Sequence, residues 1–212
     1  MDGESGFSVG DAPKLQSRCS TEHGEVPFVA SQFEDALKTN TIESYSNFIR
    51  HNMIRCDGKC ELIEQAASGI YRILTADFPR RFYSLNINYW DLSARLPEAI
   101  RKGEPLVLAF VSRQWQLPDV PSWTVHFAEI AGVSVRLKGM APTVNAGAGG
   151  VWRAQGGDIE KPIDIAPFGR AEHVWSCYSG QWKNATVLLN YYGTYGAEKH
   201  FFKLHCQTTF PT

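Results

Sequence analysis

The chain has 212 residues, with 21 Lys+Arg against 22 Asp+Glu, which suits one large domain or a small module joined to a medium one. A formal charge of −1 lacks the clustered positive surplus that neutralises phosphates, so nucleic acid is not an expected partner. Hydrophobic residues at 43% and charged residues at 20% exclude a disordered, collagen-like or coiled-coil chain.

Residues 1–30, with Gly3, Gly6, Gly10, Pro13, Gly24 and Pro27 and no sustained period, read as a flexible arm. They hold Asp2, Glu4 and Asp11 and no apolar block, so no signal peptide is expected. Helical patterning starts at Ser31-Gln-Phe-Glu34, a capping-box pattern with Phe33, Ala36 and Leu37 behind it. Asn40-Thr-Ile-Glu43 repeats the signal ahead of Ile42, Tyr45, Phe48 and Ile49. After a turn at Cys56-Asp-Gly-Lys-Cys60, Leu62, Ile63, Ala66, Ile70, Ile73 and Leu74 recur at helical spacing until Asp77-Phe-Pro79 ends the run. Residues 31–79 are therefore expected to form a helical unit of three short helices, a hairpin packed through Phe33, Leu37, Tyr45, Phe48, Ile70 and Leu74.

Beyond Pro79 the period falls to two. Tyr83–Tyr89 alternates apolar and polar residues, and Pro105–Val111, the longest apolar run, has strand length and is far shorter than a membrane span of roughly 18–20 residues. Trp123–Ile130, Val133–Leu137, His173–Tyr178, Ala185–Tyr192 and Lys199–Gln207 complete the strand candidates. Leu96–Lys102 reads as a helical turn, and Asn145–Gly150 as a flexible hairpin loop. The expected fold is α+β, with the helical hairpin ahead of an antiparallel β-sandwich or barrel over residues 80–212.

The five cysteines lie at 19, 56, 60, 177 and 206. Cys177 and Cys206 sit in strand-like stretches and are expected to bridge neighbouring strands, which points to a periplasmic or secreted mature protein; buried reduced thiols in a cytoplasmic protein are the alternative. The Cys56–Cys60 step is wider than a usual paired-ligand hairpin, so no metal is expected, and no cofactor motif is present. The glycine loop at Asn145–Gly150 is followed by Val151-Trp152-Arg153 rather than by a helix N-terminus, which removes the dipole a phosphate cradle requires.

Histidines occur at 23, 51, 126, 173, 200 and 205; His173 and Cys177 share a strand face but lie roughly 13 Å apart, too far for direct proton transfer. His126 and Glu129, for example, have opposite parity. The aromatics carry more weight. Tyr191-Tyr-Gly-Thr-Tyr195 reads as a glycine-containing turn, and Tyr191, Tyr192, Tyr195 and nearby Trp182 are the candidate binding residues, suited to a protein or carbohydrate partner. The leading expectation is a non-enzymatic, exported binding or protein-interaction module. The alternative is a hydrolase-like or toxin-like effector enzyme whose site is assembled from scattered His, Cys and acidic residues.

Two resemblances bear on this. Phe33–Arg50 resembles a helical-hairpin repeat of bacterial multidomain proteins, in which an Ala-containing helix, an Asn-Thr turn and a Tyr-x-x-Phe helix recur; Glu61–Leu74 matches the following helix. That likeness implies a protein-contact or spacer role. Trp175, Cys177, Tyr178 and Cys206 resemble positions in a family of small exported two-cysteine bacterial proteins without an assigned activity, which implies a periplasmic setting.

Overall fold

Burial sorts the apolar residues into two clusters, and strands β2 and β3 contribute to both. The computed structural model describes residues 26–53, 61–77, 82–85, 89–117, 120–145, 150–153, 157–176 and 186–209. Four helices and nine strands are found among them: α1 (Val26–Thr39), α2 (Ile42–Asn52), α3 (Glu61–Asp77), β1 (Phe82–Leu85), α4 (Tyr89–Lys102), β2 (Val107–Leu117), β3 (Val120–Glu129), β4 (Val135–Asn145), β5 (Val151–Arg153), β6 (Gly157–Ile165), β7 (Arg170–Ser176), β8 (Thr186–Tyr195) and β9 (His200–Thr209).

The fold is α+β, as the change of period implied. Sheet A has the order β1-β2-β3-β7, and sheet B the order β5-β4-β8-β9, with β6 also paired to β4. All these pairings are antiparallel. The two sheets face each other as a sandwich and do not close into a barrel. Strand alternation makes this possible: Val107, Ala109 and Val111 of β2 and Val125 and Phe127 of β3 point toward sheet B. They meet Leu137, Val144, Val187, Leu189, Phe202 and Leu204 there. The alternate residues Leu108, Phe110 and Ala128 point the other way, into the helices.

The helical layer is larger than the pattern suggested. Helices α1, α2 and α3 occupy the expected region, but α4 joins them after β1, and Leu92, Leu96, Ala99 and Ile100 enter the same core. The three expected helices are therefore joined by a fourth, and the helical hairpin expected over 31–79 is one part of a four-helix layer packed on the sheet. Pro97, well inside α4, explains why only Leu96–Lys102 was legible, since a proline normally marks a first helical turn. Two other boundaries move. Helix α1 starts at Val26, inside the expected flexible arm, so Ser31 lies within the helix and does not cap it; the rest of that arm lies outside the described residues. The α2 cap is Thr41 rather than Asn40: Thr41 Oγ1 accepts from the Ser44 amide at 3.0 Å, and Ser44 Oγ accepts from the Thr41 amide at 3.1 Å. Of the six expected docking residues, Phe33, Tyr45, Phe48, Ile70 and Leu74 are buried, whereas Leu37 is 39% exposed. Leu37 borders a groove of about 540 Å³ shared with Asn40, Tyr45, Gly69 and Arg72. Among the described residues no helix is long and apolar enough to cross a membrane.

One buried carboxylate ties these parts together. Glu129, at the end of β3, is fully buried. Its Oε1 accepts from the amides of Ala131 (2.8 Å) and Leu106 (3.4 Å). Its Oε2 accepts from Gly132 (2.8 Å), Phe168 (3.1 Å) and Val133 (3.2 Å). These amides belong to the approach to β2, the β3–β4 turn and the β6–β7 turn. The backbone carbonyls of that same β3–β4 turn receive the helices: Ser46 Oγ donates to Ile130 O at 2.7 Å, and Arg50 donates to Ala131 O at 2.8 Å. Gly132 has φ +80°, and a Cβ there would collide with Arg50 and with the Phe168 ring, so glycine is required twice over.

Replacing Glu129 by Gln turns one acceptor oxygen into a donor aimed at amide donors. At least two buried or half-buried N–H groups then lose their partner, and unfolding free energy should fall by about 2–4 kcal/mol. Urea denaturation of wild type and Glu129→Gln measures this; an unchanged midpoint would show that the carboxylate is dispensable.

Candidate functional site

Each face of the sandwich presents different chemistry. The outer face of sheet A is covered at one end by the helices through Leu106, Leu108, Phe110, Ala128 and Ile130. Among the described residues, the strands of sheet B contribute nothing to that helical cluster. The outer face of sheet B is therefore the open broad surface. Alternation along β9 turns Phe201, Lys203, His205 and Gln207 outward and Phe202, Leu204, Cys206 and Thr208 inward. Central strand β8 adds Leu188, Asn190, Tyr192 and Thr194 to the open face, all half-buried by their neighbours.

This face has its own internal order. A bulge at Lys138 shifts the pairing of β4 with both β6 and β8. Beside it, the Tyr192 ring lies over Gly139, where any Cβ would collide with it. Asn190 donates to Ala141 O at 3.1 Å, and its Oδ1 meets His205 Nδ1 at 2.5 Å. Phe201 is 63% exposed, the largest value among the exposed large hydrophobics, and Lys203 Nζ lies 5.5 Å from its ring centre. Arg136 pairs with Asp164 at 3.2 Å. Among the described residues neither Lys138 nor Lys203 has a carboxylate within ion-pair distance. The β4–β8–β9 part is thus basic and aromatic, and Asp158, Glu160 and Asp164 lie along β6.

The expected binding residues are distributed differently from the sequence reading. Strand β8 continues to Tyr195, so Tyr191–Tyr195 is not a turn; the turn is Gly196–Lys199, with φ +67° at Gly196 and +55° at Lys199. Tyr191 is core, 1% exposed, and offers no contact surface. Its ring packs edge-on against Phe127 at 5.1 Å, and its hydroxyl bonds His173 Nδ1 at 2.9 Å. Tyr192 faces outward, and Tyr195 is half-buried with its ring 5.3 Å from His200. Trp182 lies outside the described residues. Phe201, Lys203 and His205 were missed because their polar–apolar alternation is an ordinary strand pattern until the sheet order shows which face stays bare.

Cys206 is a free, buried thiol facing the inter-sheet core beside Tyr191. The expected Cys177–Cys206 bridge is accordingly not formed; Cys177 itself, like Cys19, Cys56 and Cys60, lies outside the described residues. Burial pushes the Cys206 thiol up to about 12 and raises the Tyr191 hydroxyl further above its ordinary range, with Cys206 adding to the effect. Burial also lowers His173.

A second arrangement was invisible in the local spacing. Ser112 of β2, His126 of β3 and Glu172 of β7 form a hydrogen-bonded row on the outer face of sheet A: Ser112 Oγ to His126 Nε2 is 2.8 Å, and His126 Nδ1 to Glu172 Oε1 is 2.8 Å. His126 pairs directly across the ladder with Glu172 and with Phe110, two residues before Ser112. His126 and Glu129 point to opposite faces, as their parity requires.

Two outcomes follow. The Cys206 thiol should resist iodoacetamide at neutral pH in the folded protein and react on unfolding, which mass spectrometry detects as a label on the Cys206 peptide; rapid native labelling of that peptide would place it at the surface. The second outcome concerns acid. Because the folded His173 binds a proton less readily than the ordinary 6.5, the unfolded chain holds more protons just below that value. His173 therefore contributes a loss of stability as pH falls through 6.5 toward the lowered value, and none above 6.5. The stability difference between pH 7.5 and pH 5 should shrink in His173→Gln; an equal difference in both proteins would remove His173 from the acid response.

No protein-family model matches the chain, and no curated protein is significantly similar to it. Among solved structures, the putative ApaA protein of Bordetella pertussis is similar over 51% of this chain and 94% of its own, at 12% identity and a TM-score of 0.43. A structural-genomics target designated SoR45 is similar over 51% of this chain and 86% of its own, at 10% identity and a TM-score of 0.42. Likenesses at this level carry no argument about function.

Proposed function

We propose that the chain acts as a protein-interaction module, and that its contact surface is the outer face of sheet B over β4, β8 and β9. The observation that carries this reading is the asymmetry of the sandwich: helices cover sheet A, while sheet B leaves Phe201, Tyr192 and Leu188 beside Lys138 and Lys203 on an open face. An aromatic anchor supplies apolar area, and two lysines without carboxylate partners among the described residues add attraction for negative charge. The partner that fits is an acidic protein segment bearing an apolar side chain. An open sheet face suits such a contact better than a small substrate, which needs a concave site. With Cys206 unbridged, the reading does not depend on an oxidising compartment.

Phe201→Ala and Lys203→Glu should melt within about 2 °C of wild type, because exposed side chains contribute little to stability. A host protein retained by the immobilised wild-type chain should be lost with both variants and kept with Phe28→Ala, which alters an exposed residue of the helical layer. On binding, amide exchange should slow in β8 and β9. Equal retention by all variants would overturn the reading, and retention through a glycan would replace the protein partner with a carbohydrate.

A further inference from the structure

The row Ser112–His126–Glu172 has a direction, and the direction is chemical. An ionised carboxylate only accepts hydrogen bonds, so the contact of Glu172 Oε1 with His126 Nδ1 places the imidazole proton on Nδ1. Nε2 is then left with a lone pair, and the Ser112 hydroxyl, 2.8 Å away, donates to it. A serine hydroxyl donating to the Nε2 lone pair of an acid-oriented imidazole is the arrangement of an activated nucleophile. Three neighbouring strands hold the groups in place. Ser112 lies opposite Thr124, which lies opposite Val174, and in the next row Phe110, His126 and Glu172 lie side by side. Phe110 and Thr124 are buried, which packs the imidazole from beside and limits its rotation; His126 itself is 18% exposed and Glu172 66%.

We propose that Ser112 is a reactive nucleophile that forms a covalent ester with activated acyl or phosphonyl donors. In the step, Ser112 Oγ bonds to the electrophilic carbon or phosphorus as its proton passes to His126 Nε2. The leaving group departs with the electron pair of the bond that breaks, and Glu172 balances the imidazolium charge. The substrate class follows from what surrounds the serine. Strand β2 lies between β1 and β3; the β3 ladder runs through Ser112 opposite Thr124, while the β1 pairing shifts between Phe82 and Ser84 and reaches Ser112 only at Phe82. Among the described residues the β2–β3 ladder takes up the strand amides on that side of Ser112, so an oxyanion formed there finds few preorganised donors, and each missing donor costs about 100–1000-fold in turnover. Donors with good leaving groups therefore react, and peptides and simple alkyl esters do not. The property is stoichiometric covalent capture, separate from the surface of sheet B.

The full chain incubated with a tagged alkyl fluorophosphonate tests this. One label is expected, mapped by tandem mass spectrometry to Ser112 and absent in Ser112→Ala. The labelling rate should fall at least tenfold in His126→Gln and several-fold in Glu172→Gln, with recovery in Glu172→Asp, since Glu172 acts as a positioning residue. Phe28→Ala, in an exposed residue of the helical layer, should label at the wild-type rate. Labels spread over many serines, tyrosines and lysines would overturn the proposal, as would Ser112 reacting equally fast in His126→Gln. If His126→Gln does not fold, Glu172→Gln decides, because its largely exposed side chain can be changed without disturbing the core; an unchanged rate there overturns the proposal.

Discussion

Five backbone amides converge on the Glu129 carboxylate, and the layers of this protein depend on that convergence. Strand β3 ends there, the chain turns toward β4, and the β6–β7 turn folds back to supply Phe168 N–H. Burial works against the ionised form, while the amides of Phe168, Ala131, Gly132 and Val133 favour it. A protonated carboxyl would present a hydroxyl where only donors converge. The same turn offers the carbonyls of Ile130 and Ala131 to Ser46 and Arg50, so the group that orders the sandwich also fixes where the helices dock.

Docking at that end of sheet A has consequences for both faces. It buries Leu106, Leu108, Phe110, Ala128 and Ile130, each large side chain contributing roughly 1.5–3 kcal/mol. On the same sheet face Glu172 keeps 66% of its side-chain surface exposed and His126 18%. Among the described residues the docking also leaves sheet B without a helical cover. The two capabilities proposed, a binding face and a reactive serine, therefore occupy opposite sides of one sandwich. Between them lies a core in which His173 and Tyr191 satisfy each other and Cys206 is shielded.

The legible and illegible parts of the fold separate by range. Helices α2 and α3 were legible because their apolar residues recur within a few positions, and Thr41 beside Asn40 misled the cap by one residue only. Helix α4 was hidden by Pro97 and by the alternation of Tyr83–Tyr89, whose last residue opens the helix. Strands β5 and β6 were missed since Gly157–Ile165 carries charges and Pro162, the composition of a protected edge rather than of a core strand. For the candidate sites, Tyr192 and Tyr195 were singled out in advance, but Tyr191 went to the core and Phe201, Lys203 and His205 were not recognised.

The amino-acid sequence by itself determined the class of structure: helices before a largely antiparallel β region, with a core rich in aromatics and too little charge for disorder. Those properties depend on local periodicity and composition, which act within a few residues. Only the tertiary structure decided which face of each strand is covered. Ser112 and His126 are 14 residues apart, and His126 and Glu172 are 46 apart, yet the ladder β2–β3–β7 brings their side chains into hydrogen-bond contact. Strand register is a long-range property, because shifting a strand by one residue turns every side chain to the opposite face. No local spacing encodes that choice, and the burial of the helices on one sheet and not the other settles it.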